Sequence, residues 1–425
     1  MSTEQVTMLF LALALISALA FGAGALARRF NQPPVIGEVI LGVLLGPTLL
    51  GPVSEQLFPH DVRPFLTALA NIGVALFMFA VGAELDAGLL RGRRAVAGTV
   101  ASGSIALPFA LGVLLALYLV DSHPTDDKTG FVLFMGCAMS VTAFPVLARI
   151  LTDRGMQRTW LGAVALACAA IDDVLAWTLL AVVVAIIGSG SGDQWLLLLF
   201  VPYLVLMFTA VRPALRRLLA HPKVTGSEQP AAVAICLVGL LASAAFTEWI
   251  GLHFLFGAFL FGAVMPRRPG EGGSAEVTGT VTERIASLNG LLLLPMFFVV
   301  AGLKVDLSGM TGTDVLELGL ILVVAVGGKF VGAYASARVT GMKNRPATAL
   351  AVLINTRGLT ELIILSVGLQ LGVLDDKLYS TMVVMALVTT AMAGPLLHLL
   401  YPVRPAQSIA PEELAVLSRR RDRLM

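Results

Sequence analysis

The stretch CAAIDDVLAW, residues 168–177, sets two adjacent carboxylates, Asp172 and Asp173, in the middle of the apolar run 160–187. An aspartate at the centre of a membrane helix costs about 2.5–3.5 kcal/mol on insertion scales, and its like-charged neighbour adds to that. A run that carries two must offset the cost or use it. That choice decides the reading only if the run crosses a membrane, and the composition says that it does. The chain of 425 residues is 57% hydrophobic and 13% charged, with a mean hydropathy of +0.88, whereas soluble domains carry about 25% charged residues. Its apolar runs are long enough for helices to cross a hydrocarbon core about 30 Å thick, and they do not alternate as barrel strands do.

Thirteen spans are expected, near 6–27, 35–51, 64–83, 95–120, 130–149, 160–187, 194–211, 230–248, 251–265, 286–303, 315–337, 346–371 and 378–401. Of the 29 Lys and Arg residues, Arg63, Lys128, Lys304 and Lys377 fall on one side, Lys329 and Arg357 fall within spans, and the remaining 23 share the other side. The positive-inside rule then predicts the N-terminus outside and the C-terminus in the cytoplasm. The first span has Glu4 where a signal peptide has a basic region, and Arg28-Arg29 where one has a cleavage site, so it is expected to be retained. Cys137, Cys168 and Cys236 match no metal or disulfide spacing and are expected to pack in the core. GSGSG at 188–192 reads as a linker, because no strand and helix frame it as a phosphate loop. No cofactor, enzymatic chemistry or nucleic-acid contact is expected.

The chain also repeats itself. GEVILGVLLGP from Gly37 resembles GAFLFGAVMP from Gly257, and FMFAVGAELD from Phe77 resembles FFVVAGLKVD from Phe297. Gly37, Gly42, Gly82 and Asp86 all meet their counterparts Gly257, Gly262, Gly302 and Asp306 at an offset of 220. That offset is seven spans, an odd number, so the copies run in opposite directions. Inverted repeats are the common plan of secondary transporters, whose sites form near the midplane from discontinuous helices. Span five is interrupted at SVTAFPVLARI, with Ser140, Thr142 and Pro145. Its counterpart, span twelve, is interrupted at INTRGLTELI, with Asn355, Thr356, Arg357, Gly358 and Glu361.

Asp172 and Asp173 lie about 18 Å into span six, and Lys329 lies at similar depth in span eleven. Adjacent helical residues point about 100° apart, so the two aspartates meet different surroundings. We assign Asp172 to Lys329 as the charge partner that offsets burial, which leaves Asp173 to bind a monovalent cation in competition with a proton, helped by Thr142 and Ser140. Arg357, Glu361 and Asn355 are placed to neutralise the dipole ends of the broken helices. A purely structural polar network is the alternative for these residues.

Together AAIDDVLAW, SVTAFPVLARIL, GGKFVGA, NTRGLTELI and PPVIGEVILGVLLGP resemble the cation:proton antiporter-2 family, in wording its branch with the plant cation/H+ exchangers, from about Pro33 to Pro402. The resemblance implies the sodium/proton antiporter fold, an all-α membrane protein of thirteen helices with an inverted repeat and two crossed discontinuous helices. It implies a membrane domain over 1–403. Helices 1–3 and 8–10 would form a dimerisation scaffold, helices 4–6 and 11–13 an ion-transporting core moving like an elevator, and helix 7 a linker. Residues 404–425 would be a cytoplasmic tail.

The same resemblance implies ion and proton binding at Asp173 with Asp172 beside it, Lys329 as the core lysine, and a crossing at Thr142, Pro145, Asn355 and Arg357. Paired aspartates with this lysine point to electrogenic sodium exchange and the plant-like wording to potassium, so the ion stays open between Na+ and K+. The expected partners are Na+ or K+, H+, membrane lipid and a second copy of the chain, the last supported by the Gly-x4-Gly strings of spans two and nine. The expected location is the plasma membrane, of bacterial inner-membrane type. A cation channel of the same fold, or an organic-ion transporter coupled to Na+ or H+, are the rival functions. Filter rings and oligomeric symmetry would favour the first, and a polar pocket without an essential acid pair the second.

Overall fold

The computed structural model describes residues 2–30, 32–84, 94–123, 125, 127–156, 159–187, 199–221, 230–266 and 273–400. Among them there is no strand. Asp86, the loop arginines Arg91 and Arg93, the 188–192 linker, the start of span seven and the 404–425 tail lie outside the described residues.

Helix starts follow local chemistry. In α1 (Thr3–Arg29), Ser2 and Gln5 form a reciprocal capping box, satisfying two amides that a helix start leaves open. Pro34, which has no amide to leave unpaired, opens α2 (Pro34–Leu45), and two short turns, α3 (Pro47–Leu50) and α4 (Pro52–Leu57), lead to α5 (Arg63–Glu84). Next come α6 (Arg94–Leu119), α7 (Lys128–Ser140), α8 (Phe144–Asp153) and α9 (Trp160–Ile187). A π-helical turn at Met207–Val211 joins α10 (Phe200–Leu206) to α11 (Arg212–Leu219). The rest is α12 (Pro230–Trp249), α13 (Phe254–Ala263), α14 (Gly273–Leu288) joined through a second π turn to α15 (Leu294–Leu303), α16 (Gly312–Val339), α17 (Asn344–Ile354), α18 (Leu359–Gln370) and α19 (Asp376–Leu400).

Eight described helical stretches are long and apolar enough to cross a membrane: Thr3–Arg29, Arg63–Ala83, Ala95–Leu119, Trp160–Ile187, Pro230–Trp249, Val277–Leu303, Gly312–Val339 and Asp376–Leu397. The other five of the thirteen expected spans fall on shorter or interrupted helices, α2, α7 with α8, α10 with α11, α13, and α17 with α18.

Packing sorts the helices into two sets. In one, α2 packs on α1 and α15, while α5 packs on α13 and α15, and α12 packs on α13. In the other, α6 packs on α7, α9 and α16, α17 packs on α9, α16 and α19, and α18 packs on α7 and α19. The glycines at the 220 offset lie in the closest contacts of the first set. A Cβ on Gly42 would lie 2.3 Å from the Val299 carbonyl oxygen, one on Gly302 2.4 Å from that of Val39, one on Gly82 2.1 Å from that of Phe259, and one on Gly262 2.1 Å from that of Phe79. The α2–α15 and α5–α13 contacts therefore exchange under the same offset. Gly37 and Gly257 meet the Ala23 and Ser243 carbonyls in the same way. This corrects one sequence argument: both Gly-x4-Gly strings are occupied by the chain's own helices, because only a residue without Cβ admits a backbone that close, and they do not mark a surface for a second copy.

Among the described residues few direct polar contacts join the two sets, one of them between His253 Nε2 and Gln370 Oε1 at 3.3 Å. Tyr379 Oη donates to the Ala301 carbonyl at 3.0 Å, the Asp306 amide donates to Ser380 Oγ at 3.0 Å, and Gln32 Nε2 donates to the Ala391 carbonyl at 3.2 Å. Trp177 of α9 meets Phe256 of α13 edge to face.

Candidate functional site

Both expected interruptions are present. Between α7 and α8 the chain leaves the helix at Val141–Ala143, extended at Val141, and between α17 and α18 it leaves helical geometry at Asn355–Gly358. Pro145 falls in the first turn of α8, where its missing amide removes no intrahelical bond. Gly358 takes φ +149°, a conformation that side chains other than glycine rarely adopt. The two breaks hold each other: the Ala143 amide donates to the Thr356 carbonyl at 3.0 Å, and Thr142 Oγ1 lies 3.0 Å from the Ile354 carbonyl, its single hydrogen shared with Asp172. Freed backbone groups are thus paired at a depth where lipid offers no partner.

The C-terminal end of α7 presents unpaired carbonyls and the negative end of its dipole. Arg357 meets it, donating to the Ala138 and Met139 carbonyls at 2.9 and 2.5 Å and to Glu361 at 2.8 Å. Lys329 of α16 donates to the Ser140 carbonyl and lies 3.5 Å from Asp172 Oδ2. Ser140 therefore takes part through its carbonyl, while its hydroxyl turns back to the Cys137 carbonyl at 2.8 Å.

Asp172 and Asp173 are 0% and 1% exposed, and their surroundings differ as the helical geometry requires. Thr142 donates to Asp172 at 2.6 Å, and Ser104 of α6 lies 3.2 Å from both of its oxygens. Asp173 accepts the Phe144 amide at the start of α8, and its Oδ1 has no hydrogen-bond partner. Asn355 Oδ1, in the other break, is likewise buried and unpartnered. Among the described residues, Asp172, Asp173 and Glu361 face the charges of Lys329 and Arg357, so these five groups, fully ionised, carry one negative charge in excess. One monovalent cation, or one proton, balances it.

Ser104 was not legible as a site residue. A single hydroxyl in an apolar helix ordinarily bonds its own preceding turn, and Ser104 does reach the Ala101 carbonyl at 2.9 Å. Thr390, whose hydroxyl lies 2.8 Å from the Arg357 carbonyl in the second break and 2.6 Å from the Ala386 carbonyl of its own preceding turn, was missed for the same reason. A cavity of about 500 Å³ opens between the two helix sets, lined by Glu55, Arg63, Lys304, Asp306, Leu369 and Asp376 among others. Neither aspartate of the pair lines it, and both are buried.

Residues 14–401 match the transmembrane sodium/hydrogen exchanger family. The chain is 40% identical over 412 residues to the Na+/H+ antiporter NhaS4 of Synechocystis, covering 95% of this chain and 99% of that protein. It is 36% identical to cation/H+ antiporter 20 of Arabidopsis thaliana and 34% identical to K+/H+ antiporter 1 of Saccharomyces cerevisiae, covering 95% and 88% of this chain. It spans 51% and 44% of those two proteins, about half their length. Among solved structures, the sodium proton antiporter MjNhaP1 of Methanocaldococcus jannaschii superimposes with a TM-score of 0.64 at 14% identity, over 95% of this chain and 100% of that one. The likeness at that identity is one of fold.

Proposed function

The chain belongs to the sodium/hydrogen exchanger family and is an integral membrane protein, and from that premise we propose that it is a secondary antiporter exchanging Na+ or K+ for H+. The observation that carries this reading is the charge count at the crossing, where a single excess negative charge accommodates either a cation or a proton but not both. Asp173 is the shared site, with its unpartnered oxygen turned to the ion and Asn355 Oδ1 and Thr142 as further oxygen ligands. Asp172 and Lys329 form the supporting pair. Arg357 and Glu361 hold the broken helices.

Competition for one carboxylate is sufficient for exchange, provided the site is open to one side at a time. We assign α6–α9 and α16–α19 to a moving core, α1–α5 and α12–α15 to a scaffold, and α10–α11 to the link between them. The sparse polar contacts between the two sets, and the buried aspartates, support an elevator-type movement of the core. The N-terminus is outside, the tail cytoplasmic, and the membrane is a plasma membrane. A homodimer through the scaffold is part of the same proposal, resting on the exposed apolar face of α1. The electroneutral and electrogenic forms differ in whether Lys329 also releases its proton.

The experiment is cation-driven proton movement in proteoliposomes, with Na+ and K+ tested in turn. Asp173→Asn removes the charge while keeping the shape, and is expected to abolish exchange in a protein that still extracts and folds normally. Exchange at the wild-type rate in that variant would refute the assignment. Cation flux that needs no proton gradient and is not saturable would favour the channel reading instead.

A further inference from the structure

His123 lies just beyond α6, far from the crossing, and is 5% exposed. Its Nδ1 is 2.8 Å from Asp375 Oδ2, immediately before α19, and its Nε2 is 3.2 Å from Glu317 Oε2 in the second turn of α16. A carboxylate only accepts, so each ring nitrogen needs a hydrogen, and a neutral imidazole has one. The imidazolium alone satisfies both contacts. Among the described residues, the charged groups beside these two partners include Lys377 of α19 and Asp314 of α16. They bond to each other at 2.9 and 3.0 Å, and the Lys377 charge also acts on Glu317 and Asp375.

We propose that His123 is a proton-held clasp joining the same-side ends of α6, α16 and α19, closed while the ring is charged and released when it becomes neutral, so that the core answers to the pH of one side of the membrane. Each of the three helices touches the crossing with one side chain. Lys329 lies twelve residues along α16 from Glu317, about 18 Å, Ser104 lies on α6, and α19 bears Thr390. Release turns one ring lone pair towards a carboxylate and leaves two carboxylates without their shared cation, which loosens all three helix ends together.

The sign of the pH effect follows from the surroundings. Burial is the largest single influence and favours the neutral ring, but the hydrogen bonds and charges of Asp375 and Glu317 together outweigh it and hold His123 above its ordinary value of 6.5. Asp375 is held below the usual carboxylate range: burial pushes it up, and His123, the Leu378 amide and Lys377 together pull it further down. A raised histidine contributes stability that is fully present below about pH 6.5 and is lost as pH rises through the folded-state value.

The test uses the full chain in detergent, with histidines labelled for NMR. There are five histidines in the sequence, and His123→Gln identifies the signal that disappears. The expected midpoint for His123 is above 6.5, and Asp375→Asn is expected to lower it by about one unit. Thermal unfolding between pH 6 and pH 9 should fall in the wild type and fall less steeply in His123→Gln. In proteoliposomes, the same variant should weaken the dependence of exchange on the pH of one side and leave that on the other side unchanged, with its maximal rate within about two-fold of wild type. A His123 midpoint at or below 6.5, or identical pH dependence of unfolding in wild type and His123→Gln, would overturn the clasp. If His123→Gln does not fold, the wild-type titration against Asp375→Asn decides alone. The transport arm rests on the antiporter reading, whereas the NMR and unfolding arms do not: absent exchange sinks that reading and leaves the clasp standing.

Discussion

Removing Asp172 and Lys329 singly and together tests whether the buried pair offsets its own cost. At 3.5 Å, two unit charges attract by about 5 kcal/mol at an effective dielectric of about 20, before desolvation is subtracted. Breaking a buried pair by deleting one member costs about 3–5 kcal/mol, because the other charge is stranded. Here neither member is fully stranded. Without Lys329, Asp172 keeps Thr142 and Ser104, and without Asp172, Lys329 keeps the Ser140 carbonyl. Lys329→Ala and Asp172→Ala should therefore each fall near the lower end, about 3 kcal/mol. The double alanine should lie below the sum of the singles by about 1–3 kcal/mol. Unfolding of the purified protein by sodium dodecyl sulfate in mixed micelles, read by tryptophan fluorescence for all four members of the cycle, measures this coupling. Losses that add within about 0.5 kcal/mol would show that the two side chains do not share an interaction, and the pairing would be refuted.

Arg357→Met should destabilise more than any single change at the pair, by about 3–5 kcal/mol, since it strands Glu361, whose Oε1 is already unpartnered, together with the Ala138 and Met139 carbonyls. Adding Glu361→Gln should recover part of that loss in the same unfolding assay, and no recovery would show that the ion pair is not what Arg357 supports. Gly358→Ala places a Cβ 2.7 Å from Val146 Cγ2 at φ +149°, so a loss of about 1–3 kcal/mol is expected, and a neutral outcome by thermal unfolding would contradict the strained geometry of the break.

Much of the site was readable in one dimension because a membrane penalises polarity so steeply. Asp172, Asp173, Lys329 and Arg357 stand out against apolar surroundings without any structure, and the helical angle between adjacent residues already separates the surroundings of the two aspartates. The break residues announce themselves by the same contrast, and the 220 offset orders the helices. Distances were not readable. That Lys329 divides itself between Asp172 and the end of α7, that Arg357 caps the same helix end, and that the Gly-x4-Gly strings are filled from within the chain all depend on which backbones approach. Ser104, Thr390 and His123 show the limit most plainly. A lone hydroxyl or imidazole has many local partners in sequence, and only the packing of α6 against α16 and α19 selects the carboxylate or carbonyl that each one meets. The apolar pattern and the rare charges by themselves determined the membrane, the helices and the acids at the centre, since those follow from the cost of burying each residue type. The tertiary structure alone decided which donor meets which acceptor, because that is set by contacts between residues up to hundreds of positions apart, and no local preference encodes it.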